Sequence, residues 1–196
     1  MRLSNPIRQL NSRLFFTVND AAQALEIKPE SARVLCSRYA KAGAFLRLRN
    51  NFYVTEQRWG RATYEDFLRI ANFLQVPSYI SFLTALARYE ITTQVPRQFF
   101  ENACLRRTKN IEAAGTQFVY SKLKKELYFD FTRKDGVFIA TPEKALLDAV
   151  YLYSFGKYKL DFSALDINKI NLKRIKKILH PFPDKTKALV KDICGI

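Results

Sequence analysis

Apolar residues in the first sixty positions recur at helical spacing and then switch to alternation. Leu3 to Ser12 predicts a first short helix, and Phe15 to Val18 a brief extended piece. Asn19 and Asp20 precede a second helix, Ala21 to Leu25, where their side-chain oxygens suit the bare N–H groups of a first turn. Ile27 and Lys28 make the turn. Pro29 fits the opening position of a third helix, because its missing N–H costs nothing there.

That third helix, Pro29 to Ala42, is strongly two-sided. At about 100° per residue, Ala32, Leu35, Cys36, Tyr39 and Ala42 share one face. Glu30, Arg33, Val34, Ser37 and Lys41 gather on the other, flanked by Ser31 and Arg38. Gly43 supplies a left-handed cap. Ala44 to Arg49 predicts a strand with Leu46 and Leu48 buried and Arg47 and Arg49 on the outer face. Asn50-Asn51 turns the chain, and Phe52 to Val54 returns.

Three helices and a hairpin in this order predict a winged helix-turn-helix over residues 1–58. A helix of about 10–12 Å fits the major groove of B-DNA, and a basic hairpin beside it grips the neighbouring backbone. The candidate DNA contacts are Lys28, Ser31, Arg33, Ser37, Arg38, Lys41, Arg47, Arg49, Asn50 and Asn51. The plainer reading of the same arginines is a solvated face.

Residues 59–196 predict a second, mixed α+β domain. Glu56 to Arg61 reads as the connector. Thr63 and Asp66 form a capping box that opens a helix to about Leu74, and Pro77-Ser78 breaks the pattern. A helix from Ser81 to Tyr89 follows, then strands at Gln98–Leu105, Gln117–Tyr120, Leu127–Phe131 and Val137–Ala140. Thr141-Pro142-Glu143 starts a helix that runs to Tyr153, and a lysine-rich helix spans Asn171 to His180. The fold class is therefore α+β, an N-terminal winged helix-turn-helix followed by a mixed α+β C-terminal domain.

Composition narrows the chemistry. The 196 residues hold 33 Lys+Arg against 18 Asp+Glu, a formal charge of +15. The excess is +6 in residues 1–60, +3 in 61–130 and +6 in 131–196, which points to a polyanion or an acidic partner. With 48% hydrophobic residues the chain can bury a sizeable core. Three scattered cysteines and one histidine argue against a Cys/His zinc site, and six glycines without GxGxxG or GxxxxGK[ST] argue against a phosphate-cradling loop. No cofactor, no metal and no enzymatic activity are expected. No apolar run is long enough for a membrane span and the N-terminus lacks a secretory h-region, so a cytoplasmic protein is the expectation.

Two blocks carry a resemblance: Pro77-Ser78-Tyr79-Ile80-Ser81-Phe82-Leu83-Thr84-Ala85-Leu86 and Ala140-Thr141-Pro142-Glu143-Lys144-Ala145-Leu146-Leu147-Asp148. Following a winged helix, they resemble the AbiEi-type antitoxins of abortive phage infection, also labelled transcriptional regulators of viral defence systems, over about residues 14–153. The resemblance implies binding to inverted repeats in the protein's own promoter, repression of that operon, and antagonism of a cognate nucleotidyltransferase toxin. Members of the family are understood to act without a stable toxin complex. This chain departs from the family's arginine-rich wing tip ending in glycine: here it reads Arg47-Leu48-Arg49-Asn50-Asn51-Phe52-Tyr53. Its C-terminal extension is short and basic, and Lys173, Arg174, Lys176 and Lys177 are a candidate antitoxin or secondary nucleic-acid surface.

Two rival readings stand beside this one. A stand-alone winged-helix regulator would use its second domain to dimerise or to sense a ligand. A metal-dependent defence nuclease would need Asp130, Glu143 and Lys144 to converge on a metal and a phosphate. N-terminal capping already explains Glu143 and Lys144, and Lys144 with Asp148 at i, i+4 reads as a surface pair.

Overall fold

A computed structural model describes residues 5–94 and 97–196. The chain divides into two compact units, residues 1–70 with 111–116, and residues 71–110 with 117–196. Both belong to a mixed α+β chain containing a mixed sheet. Leu3 and Ser4 of the predicted first helix lie outside the described residues.

In the first unit, α1 (Asn5–Asn11), α2 (Val18–Leu25) and α3 (Pro29–Lys41) precede a hairpin of β1 (Phe45–Arg49) and β2 (Phe52–Thr55). The short α4 (Glu56–Trp59) and α5 (Tyr64–Leu74) follow. Ile7, Leu10, Phe16, Val18, Ala21, Ala22, Ala32, Cys36, Phe45 and Tyr53 form the core. Phe16 adds a third backbone segment to the hairpin, donating its N–H to Tyr53 at 2.8 Å and accepting from Tyr53 at 2.9 Å.

α2 begins three residues earlier than its sequence suggests. Thr17, not Asn19 or Asp20, is the cap: its Oγ1 accepts from the Asp20 N–H at 3.2 Å, and Asp20 Oδ2 accepts from the Thr17 N–H at 2.7 Å. Burial works against ionisation of Asp20, but the Thr17 hydrogen bonds and the Arg13 guanidinium outweigh it and hold the carboxyl below its ordinary range.

α3 closes in a Schellman motif. The Gly43 N–H donates to Ala40 at 3.2 Å and the Ala44 N–H to Tyr39 at 3.0 Å, with Gly43 at φ +75°. Ala42, expected on the buried face, is the exposed cap of this turn.

The hairpin departs from simple alternation. Its register shifts between Arg47 and Arg49, so Phe45 and Leu48 are buried while Leu46 is only half-buried. Of the two turn residues, Asn51 alone takes a positive φ, 62°.

The expected boundary at 58/59 differs from the observed division because the connector is tied down. Thr55 caps α4 through the Arg58 N–H at 3.1 Å. The Arg58 guanidinium meets Asp66 at 2.8 Å, and Trp59 sits edge-on to Phe67 at 5.0 Å. The division instead falls inside α5, between Ile70 and Ala71.

Apart from residues 111–116, which fall in the first, the second unit contains β3 (Ser78–Ile80), α6 (Phe82–Arg88), β4 (Phe99–Cys104), β5 (Lys109–Ala113), β6 (Thr116–Lys122), β7 (Phe131–Lys134) and β8 (Val137–Ala140). Helices α7 (Pro142–Ser154), α8 (Leu172–Ile178) and α9 (Asp184–Cys194) complete it. The sheet runs β5-β6-β4-β3-β8-β7, with β3–β4 and β7–β8 antiparallel and β3–β8 and β4–β6 parallel. α7 packs on α6 and α9, and ten of its thirteen residues from Glu143 to Leu152 are buried in succession, which makes it the central helix of this unit. The predicted strand at Leu127–Phe131 is a correction: Lys125–Leu127 is a 3-10 turn, and extended structure begins only at Phe131.

Candidate nucleic-acid interface

α3 is about 20 Å long at 1.5 Å per residue. Its inner side is set by Ala32 and Cys36, both fully buried, with Leu35, Tyr39 and Ala40 packed around them. That packing turns Ser31, Arg33, Val34, Ser37, Arg38 and Lys41 outward, and all six are exposed. Lys28, the residue before Pro29, is exposed at the helix N-terminus. Arg33, Val34, Ser37, Arg38 and Lys41 line one shallow groove. A second, of about 340 Å³, lies between α3 and the hairpin tip and is lined by Arg33, Ser37, Arg47, Asn50, Asn51 and Tyr53 together with Val18. Helix and hairpin residues thus line one concave surface.

The four polar tip residues are not equivalent. Arg47 donates to Asn50 Oδ1 at 3.0 Å and remains exposed. Arg49 is half-buried, with its guanidinium 4.0 Å from the Phe52 ring centroid, so it acts partly as packing. Asn51 Oδ1 accepts the Val18 N–H at 3.0 Å, so this oxygen fixes the turn against α2. Among the described residues, no salt bridge engages Lys28, Arg33, Arg38, Lys41, Arg47 or Arg49.

The C-terminal candidates divide in the same way. Lys173, Lys176 and Lys177 are exposed on α8. Arg174 is instead held by Asp130 at 2.5 Å and by Glu143 at 3.5 Å. Asp130 also accepts from the Thr141 hydroxyl at 2.6 Å, and Glu143 accepts the Asn171 N–H at 3.1 Å. These bonds tie the first turns of α7 and α8 together, which accounts for the Asp130 and Glu143 carboxylates on structural grounds.

Lys144 and Asp148 correct the expectation of a surface pair. Both side chains are 0% exposed and they pair directly. Asp148 also accepts from the Tyr79 hydroxyl at 3.0 Å and the Ser81 hydroxyl at 2.8 Å, and Lys144 donates to Tyr79 at 3.0 Å. Phe129 and Phe182 place ring centroids 5.3 and 5.6 Å from the Lys144 ammonium. Burial pushes the Lys144 pKa down and the Asp148 pKa up, each against the attraction of the other, so the two titrate as a unit. The two sequence blocks therefore meet here, Tyr79 and Ser81 from one and Lys144 and Asp148 from the other.

Another buried acid, Glu101, lies on β4. Burial raises the Glu101 pKa to about 7, against hydrogen bonds from the Tyr158 hydroxyl and the Leu83 and Thr84 backbone. The same burial, reinforced by Glu101, raises Tyr158.

No family model matches the chain, and no curated protein matches it. Among solved structures it is similar to the crystal structure of RV2827C protein from Mycobacterium tuberculosis, with a TM-score of 0.66. The two are 11% identical over 99% of this chain and 78% of that one. The likeness is one of fold.

One residue of the α3 surface escapes a charge-based reading. Val34 is 70% exposed amid Arg33, Ser37 and Arg38. Its sequence signal is an apolar residue in the middle of an otherwise polar helix face.

Proposed function

We propose that the first unit is a winged helix-turn-helix that binds double-stranded DNA, and that the whole chain is an AbiEi-type antitoxin that represses its own operon. The observation that carries the DNA reading is the concave surface shared by α3 and the hairpin tip, where exposed cations have no acidic partner among the described residues. A surface of this kind releases counterions from a phosphate backbone on binding.

In this reading Arg33 and Arg38 face base edges, since a guanidinium pairs two-pronged with guanine O6 and N7. Ser31 and Ser37 bond to bases or phosphates, and Val34 offers an apolar contact for a thymine methyl group. Lys28, Lys41 and Arg47 meet phosphates, while Asn50 and Asn51 shape the tip more than they read sequence. The antitoxin part rests on the two sequence blocks, and on this reading the chain works by binding rather than catalysis, in the cytoplasm. Among the described residues no helix is long and apolar enough to cross a membrane.

Gel-shift titration of the full chain against its upstream DNA tests the first part. Saturable binding to an inverted repeat, lost in an Arg33→Ala/Arg38→Ala double variant, is the expected result; equal binding to scrambled duplex defeats it. Co-expression with a neighbouring nucleotidyltransferase gene tests the second: rescue of growth is expected, and its absence leaves a stand-alone regulator.

A further inference from the structure

Where α5 gives way to β3, beside the β7–β8 hairpin, the second unit holds a pocket of about 350 Å³. Phe73, Val76 and Pro77 line it from the chain leading into β3, and Tyr128, Phe131 and Phe138 from the segment that forms β7 and β8. Phe73, Val76 and Phe138 are 48%, 53% and 43% exposed, so three large apolar side chains are open to water at one place. A concentration of this kind marks a binding surface.

The pocket is built rather than improvised. The Asn72 amide holds both backbone groups of Phe138, accepting its N–H at 2.6 Å and donating to its C=O at 3.3 Å. Phe131 is stacked on Tyr79 at 4.5 Å and sits edge-on to Tyr128 at 5.1 Å. Two polar groups complete the lining. Ser78 is 93% buried, and its Oγ has no hydrogen-bond partner among the described residues. Arg133 is exposed, has no ion pair among the described residues, and no acidic residue lines the pocket with it.

We infer that this pocket binds a flat aromatic molecule of one or two rings bearing a single carboxylate. The size is at the lower end for small-molecule sites, too small for a helix of a partner protein. The rings of Phe73, Tyr128, Phe131 and Phe138 in the lining favour an aromatic guest over a branched aliphatic one. Arg133 selects an anion through a charge-assisted, two-pronged bond to a carboxylate. Ser78 turns its hydroxyl toward a polar substituent and gains the partner it lacks. None of this depends on DNA binding by the first unit.

The test uses 1-naphthoate as the probe and the uncharged 1-naphthalenemethanol as its control, titrated into the full chain by calorimetry and ligand-observed NMR. Saturable one-to-one binding of naphthoate is expected. Arg133→Ala should weaken naphthoate at least tenfold and change naphthalenemethanol by less than twofold. Val76→Trp, which fills the mouth, should abolish both, with circular dichroism confirming that each variant is folded. The Arg33→Ala/Arg38→Ala variant should bind naphthoate as the parent does. No saturable binding, binding indifferent to Arg133, or binding lost instead in the α3 variant would each overturn the proposal.

Discussion

Asn51 Oδ1 accepts the backbone N–H of Val18 at 3.0 Å, joining the tip of the hairpin to the first turn of α2. Asn51 also sits at φ 62°, where a residue with a β-carbon other than Asn or Asp is strained. One side chain therefore serves both the turn and the alignment of hairpin with helix. Asn51→Ala should lose about 2–3 kcal/mol, combining the lost bond with left-handed strain, whereas Asn51→Gly should lose only about 1 kcal/mol. Urea denaturation of the two variants checks this; equal losses would mean the backbone conformation is unimportant.

The α3 and hairpin cations should separate by salt dependence. Arg33→Ala and Arg38→Ala are expected to cost about 1–3 kcal/mol on the preferred operator and to relax specificity. Arg47→Ala should weaken all duplexes alike and reduce the slope of log K against log salt by about one unit. Arg49→Ala should lower stability as well as affinity, because its guanidinium packs on Phe52. Binding isotherms at several salt concentrations, alongside thermal melts, distinguish these outcomes.

The buried Lys144–Asp148 pair should be costly to break from one side. Lys144→Met leaves Asp148 as a buried carboxyl without its cation, and Asp148→Leu leaves the ammonium likewise; each should cost about 3–5 kcal/mol. The double variant, with both charges gone, should recover much of that loss. A double-mutant cycle by chemical denaturation measures the coupling, and additive losses would show the pair to be unimportant.

Glu101 supplies a pH dependence with a definite sign. Its folded pKa is about 7 against an ordinary 4.5, so the folded protein holds the proton more tightly than the unfolded chain. The stabilisation is complete below about pH 4.5, is lost as pH rises through about 7, and is level above that. Glu101→Gln should therefore resemble the parent at pH 4 and exceed it by about 3 kcal/mol at pH 8. Denaturation midpoints of both proteins across that range give the difference curve; a flat difference would place the charge in water.

Sequence pattern exposed some of this structure and concealed the rest for identifiable reasons. α3 is readable because Pro29, the face of Ala32 and Cys36, and Gly43 all agree. Thr17 escapes because Asn19 and Asp20 are good caps themselves, and only the reciprocal Thr17–Asp20 bonds decide between them. Lys144 and Asp148 carry the same i, i+4 spacing whether wet or dry. In the fold Asp148 is bonded by Tyr79 and Ser81, more than sixty positions away. β5 hides because only Ile111 and Ala113 of Lys109–Ala113 point inward. α9 did leave a trace, with Thr186, Val190 and Cys194 buried at intervals of four. Arg47 and Arg49 look alike until a register shift points them differently.

Asn171 donates its N–H to Glu143, and Arg174 pairs with both Glu143 and Asp130. The basic tail is latched onto the opening turn of α7, so it is not a detachable handle. A chain cut before residue 171 would strand Glu143, 6% exposed, without its donors. Truncation that silences this protein would then report a loosened α7, not the removal of a lysine-rich contact, and point substitutions at Lys173, Lys176 and Lys177 are the cleaner probe of that surface.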